Sequence, residues 1–228
     1  MNPEQKNAKI VGVLFIVATV AGVLSVVVTG PILNSPDYLL KISANENQWI
    51  LGSLFAFLMG VAGAGIGVWL YPVLKKYNEA LALWSAGFRI IEAVFIIIGG
   101  VALTLLLALS QEYSKAGVPD SSYYQTLGTL LLRGNDWVSN VAVLLAWCLA
   151  AFAYYYVFYR ANLMPRWLSG WGLVGITLTI VSSLLIMFHL ISPTTQAVSN
   201  LPIALQEMVM AGWLIAKGFN RSATTIAA

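Results

Sequence analysis

Residues 88–100 read FRIIEAVFIIIGG, with Arg89 and Glu92 three apart in a run that is otherwise apolar. Two charges in such a run mean little in water and a great deal in hydrocarbon. There each ionised side chain costs about 2.5–3.5 kcal/mol on insertion scales. Which solvent surrounds this stretch is therefore the first question, and composition answers it. The 228-residue chain is 59% hydrophobic and 9% charged, with a mean hydropathy of +0.81. A soluble domain carries roughly a quarter of its residues as charge. This chain lacks that polar coat, so its outer surface faces lipid.

Working outward from residues 88–100, apolar stretches of membrane-spanning length recur along the chain. We read six, at residues 10–29, 49–74, 81–109, 137–159, 167–191 and 201–219. The first follows Lys6 and Lys9, as a signal peptide would. Its apolar run is too long for that and lacks a small-residue cleavage pattern, so it reads as a retained helix. The fold class is all-α: a polytopic membrane protein with six helices in one bundle, forming a single domain over residues 1–228.

Lysine and arginine orient it. Lys6, Lys9, Lys75, Lys76, Arg160, Arg166, Lys217 and Arg221 fall on one side, and Lys41, Lys115 and Arg133 on the other. The positive-inside rule then predicts both termini in the cytoplasm (N-in/C-in). The connections on the cytoplasmic side are tight and carry proline. Those on the outer side, 30–48 and 110–136, are long, and the segment SSYYQTLGTLLL predicts a short helix lying along the interface.

Several chemistries are excluded. Formal charge is +3, but the cations mark helix ends rather than a patch, so nucleic acid is not an expected partner. One cysteine, Cys148, and one histidine, His189, exclude an internal disulfide, a CxxC pair and bis-histidine haem ligation. No metal, cofactor or catalytic residue is expected. Ser182 and His189 share a helix face but lie about 10 Å apart along it, too far for a nucleophile and its base.

What remains is polarity inside the membrane. Arg89 and Glu92 share a helix face and can pair. Glu92 lies about 16 Å from the cytoplasmic edge, near the midplane. Ser85, Ile96, Gly99 and Gly100 extend that face, which predicts the packed side of the third span. Gly60, Gly63, Ala64 and Gly67 predict close packing of the second span. The fifth carries Gly175, Thr179, Ser182 and His189 on one stripe. The sixth is expected to start at Asn200 as a cap, placing Gln206 and Glu207 just below its outer end. Asn135 and Asp136 read as a cap for the fourth span, with Asn140 one turn on. Tyr154, Tyr155 and Tyr156 read as an interfacial aromatic belt. Together, Arg89, Glu92, Asp136, Asn140, His189 and Glu207 are the expected ligand-binding residues of an outward-opening pocket, with Arg89 available to an anionic group.

Three functions follow from that set. The first is binding or transport of a small molecule. The second is a membrane interaction or regulatory protein whose Arg–Glu pair is purely structural. The third is an intramembrane enzyme using buried carboxylates, which no motif favours. Membrane lipid is an expected partner, and homo-oligomerisation stays open.

Residues carrying a resemblance are spread along the chain: the turn YPVLKKYNEALALW, the R-x-x-E-A element at Arg89, Glu92 and Ala93, and the closing PIALQEM and GWLIAKGF. With six spans, these resemble a bacterial multi-pass family catalogued as a domain of unknown function, number 4386. The resemblance implies a bacterial inner-membrane protein and supplies no substrate, cofactor or catalytic residue.

Overall fold

The computed structural model describes residues 3–116 and 121–220, with only the backbone of Ser121 and Ser122. Arg221 and residues 117–120 of the expected outer loop lie outside the described residues. Helices α1 (Pro3–Leu33), α2 (Tyr38–Ala44), α3 (Glu46–Leu74), α4 (Glu79–Ala116) and α5 (Ser121–Trp137) are followed by a π-helical turn, Val138–Val143. Helices α6 (Leu144–Arg160), α7 (Arg166–Met187) and α8 (Pro193–Ala216) complete the chain. The π turn joins α5 to α6 without a break, making Tyr123–Arg160 one rod of 38 residues. Six helices are long and apolar enough to cross a membrane: α1, α3, α4, the α5–α6 rod, α7 and α8.

These six pack in chain order as a closed ring, α1 on α3, α3 on α4, α4 on α6, α6 on α7, α7 on α8, and α8 back on α1. The chain ends therefore meet at one end of the bundle, where Gln5 Nε2 donates to the Phe219 carbonyl. Polarity is distributed opposite to that of a soluble protein. Arg89, Glu92, Ser182, Gln196 and Gln206 are buried, whereas Val26, Leu54, Ile97, Val174 and Leu205 are exposed. Apolar outside and polar inside is the arrangement that lipid demands, because only the bundle interior can satisfy hydrogen-bonding groups.

The opening stretch packs as its pattern predicts. Buried positions on α4 are Ala82, Ser85, Arg89, Glu92, Ile96, Gly99, Leu106 and Ser110, a stripe whose steps of three, four or seven residues keep to one helix face. Gly60, Gly63 and Gly67 of α3 lie against Ile96, Glu92 and Arg89 in turn. A methyl group at Gly67 would stand 2.8 Å from Arg89 Cβ, so only glycine lets these backbones approach so closely. Gly100 departs from expectation and faces open space. Buried Gly99 sits ten residues from Arg89, and the next position has rotated off the packed face.

Two helix starts differ from the sequence reading. The predicted interfacial helix is instead the beginning of the fourth spanning rod, so Asn135 and Asp136 lie within a helix and cap nothing. Helix α8 starts at Pro193, before Asn200, because Ser192 is the true cap: its side chain accepts from Thr195 N at 3.1 Å. Proline at the first helical position forfeits no hydrogen bond, which makes Ser-Pro a strong start signal. At about 57 Å, α4 is longer than the roughly 30 Å hydrocarbon core. Its far end, with α2 and α5, builds a second apolar cluster around Ile32, Leu39, Ile42, Trp49 and Leu106.

Candidate functional site

Five of the six spanning elements converge on Arg89. From α4 itself, Glu92 accepts from Arg89 Nη1 at 3.1 Å through Oε2 and at 3.4 Å through Oε1. From α6, Tyr154 Oη accepts from Nη2 at 3.3 Å. From α8, Glu207 Oε1 stands 4.0 Å from Nη2, close enough for charge attraction and too far for a hydrogen bond. From α1, the Phe15 ring lies 5.6 Å from the guanidinium carbon, and the Tyr154 ring lies 5.7 Å from it, both within cation–π range. From α3, Gly63 and Gly67 leave room for the group.

The cluster is closed. The Arg89 side chain is 4% exposed, that of Glu92 10% and that of Glu207 13%. Two of its polar atoms, Arg89 Nε and Glu207 Oε1, have no hydrogen-bond partner among the described residues. Tyr154 and Trp147 lie beside the Glu207 carboxyl. In formal charge, one guanidinium meets two carboxylates.

A polar seam runs from this cluster along α8, between α6 and α7. Beside Glu207, the fully buried Gln206 accepts from Tyr155 Oη and donates to the Leu168 carbonyl at 3.0 Å. Further along, Asn200 Oδ1 accepts from Ser182 Oγ at 3.4 Å. At the end, Gln196 Nε2 donates to the Asn140 carbonyl at 2.8 Å and to Ser183 Oγ at 3.3 Å. Asn140 lies in the π turn, where hydrogen bonding is rearranged, and Gln196 satisfies its carbonyl from across the bundle. From Gln196 to Glu207 the seam is about 16 Å long.

The six expected site residues thus fall into two groups. Arg89, Glu92 and Glu207 meet. Asn140 joins the far end of the seam through its backbone rather than its side chain. Asp136 is exposed on α5. His189 is exposed just past the end of α7, at φ +58°, about 20 Å along the helix axis from Glu207. Ser182 is buried and bonded to Thr179 and Asn200. Among the described residues, no three His, Cys, Asp or Glu side chains gather as a metal-binding group.

The family model described as a domain of unknown function, DUF4386, matches residues 10–218. The chain belongs to the DUF4386 family. The match takes in all six spanning elements, so the Arg89 cluster and the polar seam both fall within the DUF4386 region. Comparison with curated proteins and with solved structures returns no match.

Two residues of the DUF4386 cluster were misplaced by sequence reasoning. Tyr154 and Tyr155 were expected in an interfacial belt, yet both are fully buried, while Tyr156 is 37% exposed. Their spacing held the signal. Ala150, Ala151, Tyr154, Tyr155 and Phe158 form one helical stripe, and all five are buried. Phe15 and Gln196 carried no comparable mark, since a lone phenylalanine in an apolar run and a glutamine near a turn are both ordinary.

Proposed function

We propose that this protein is a bacterial inner-membrane protein, with both termini cytoplasmic, that binds or carries a small cationic species at the Arg89–Glu92–Glu207 cluster. Charge balance is the observation that carries the reading. Arg89 is matched by Glu92 at 3.1 Å, so it is not free to receive an anionic group. The surplus group is Glu207, whose Oε1 is unpartnered and 4.0 Å from Arg89. Two buried carboxylates sharing one guanidinium leave a net negative charge, which is costly away from water. One further positive charge, a proton or a small cation, completes the cluster. The seam from Gln196 to Glu207 is a line of polar groups between the cluster and the α7–α8 turn, the side expected outside from the positive-inside bias.

The test is thermal unfolding of the full chain in lipid nanodiscs, for wild type and Glu207→Gln. It is run from pH 5 to pH 8, and with sodium, ethylammonium and tetramethylammonium chlorides at matched ionic strength. The expected result is that pH or one of these cations shifts the melting temperature of the wild type, and that Glu207→Gln removes the shift. Identical responses of the two proteins overturn the reading.

A second reading rests on the closure of the cluster. Arg89 is enclosed by groups from α1, α3, α4, α6 and α8, and such a hub fixes helix registry without binding anything. Under that reading, Glu207→Gln changes neither response.

A further inference from the structure

At the end of the bundle where the chain termini meet, an open cleft of about 500 Å³ lies between the start of α1 and the end of α8. Lys9 and Lys217 line it from the two helices, with Gln5, Trp213 and Asn220 between them. Neither lysine has an acidic partner among the described residues. At the same end, Lys76 is bound to Glu4 at 2.6 Å and Lys75 to Glu79 at 3.0 Å; Lys6, Arg160 and Arg166 lie outside the cleft lining. Trp213 Nε1 is buried with no hydrogen-bond partner among the described residues. The cleft therefore presents two ammonium groups with no acidic partner among the described residues, on walls whose amides are tied to backbone carbonyls. A pair of ammonium groups suits a phosphate oxyanion.

The walls are held in place. Asn220 is fixed to the α6–α7 turn, with its Nδ2 donating to the Asn162 carbonyl and its backbone N–H to the Leu163 carbonyl, both at 2.8 Å. Gly218, at φ +73°, turns the chain there, and a side chain at that position would collide with Gln5. The depth also fits. Trp213 is one turn inside the end of its helix and Lys217 is at that end, the arrangement of an aromatic and a cation at the boundary between hydrocarbon and headgroups.

We propose that this cleft binds an anionic phosphate group, either the headgroup of an acidic phospholipid or a soluble phosphate. Lys9 and Lys217 are the cations that hold the oxyanion, and the Trp213 ring forms part of the wall. This site is separate from the Arg89 cluster and does not depend on what that cluster holds.

Native mass spectrometry of the full chain, titrated separately with short-chain phosphatidylglycerol, matching phosphatidylcholine and inorganic phosphate, tests it. The variants are Lys9→Gln/Lys217→Gln and, as a control at the same end, Lys75→Gln/Lys76→Gln. The expected result is preferential binding of phosphatidylglycerol that falls on the order of tenfold in the cleft variant and is retained in the control. Retention of inorganic phosphate, lost in the cleft variant and without any preference between the two lipids, assigns the site to a soluble phosphate instead. Absence of any anion preference, or equal losses in both double variants, overturns the proposal.

Discussion

Glu207 Oε1 stands 4.0 Å from Arg89 Nη2, whereas Glu92 Oε2 stands 3.1 Å from Nη1 of the same guanidinium. Two carboxylates thus share one cation unequally. The nearer belongs to Arg89's own helix and the farther arrives from α8. Local pairing is complete without tertiary structure, and the surplus charge is a product of the fold.

That inequality predicts unequal mutants. Glu92→Gln removes the charge that directly answers a buried guanidinium and should destabilise the bundle by about 3–5 kcal/mol. Glu207→Gln keeps the shape and removes the unmatched charge, so its cost should stay within about 1 kcal/mol. Unfolding of both variants in mixed micelles, followed by circular dichroism, checks the ranking. Equal costs would show that Arg89 does not distinguish its two partners.

Arg89→Leu leaves two carboxylates facing each other and should be among the most damaging single substitutions, again about 3–5 kcal/mol. Adding Glu92→Leu should recover part of that loss, because it removes the charge left stranded. A double-mutant cycle reads this coupling directly, and strict additivity would contradict it.

The contact between α3 and α4 predicts a steric effect with no change of charge. Gly67→Ala places a methyl group 2.8 Å from Arg89 Cβ and should cost about 1–3 kcal/mol through forced separation of the helices. Gly100→Ala faces open space on the same α4 stretch and serves as the control, with an expected change near zero or slightly stabilising. Melting temperatures of the two variants side by side decide the matter.

Gln196 is predicted to hold the π turn. Gln196→Leu strands the Asn140 carbonyl, at a cost of about 1–3 kcal/mol, and should speed amide hydrogen exchange across Val138–Val143 more than across α6. Uniform exchange along the rod would mean that the turn does not depend on Gln196.

Orientation can be read with the single thiol removed. In a Cys148→Ala background, Tyr123→Cys should react with a membrane-impermeant maleimide on intact cells, and Lys76→Cys only after lysis. Tyr123 opens the 38-residue rod, about 57 Å long and so longer than the roughly 30 Å hydrocarbon core. The reverse pattern would place the termini outside.

Much of this protein was decided by its sequence. Hydrocarbon admits only helices whose length matches its thickness, so six apolar runs named six spans before any packing was known. The cost of charge in lipid dictated that Arg89 and Glu92 face inward, and helical spacing put Ser85, Ile96 and Gly99 beside them. Less legible were the limits of helices. The segment SSYYQTLGTLLL is apolar and aromatic enough to suggest a separate interfacial helix, yet it continues through a π turn into α6.

Tertiary structure alone decided which polar residues meet. Asp136 and His189 had the right composition and stand exposed at the far end of the bundle. Tyr154, Tyr155 and Gln196 looked ordinary and are buried beside the polar groups they serve. The physical reason is that depth along a helix can be counted from sequence, at about 1.5 Å per residue. Neighbours across the bundle depend on how the ring closes, and closing α8 against α1 is what carries Glu207 to within 4.0 Å of Arg89.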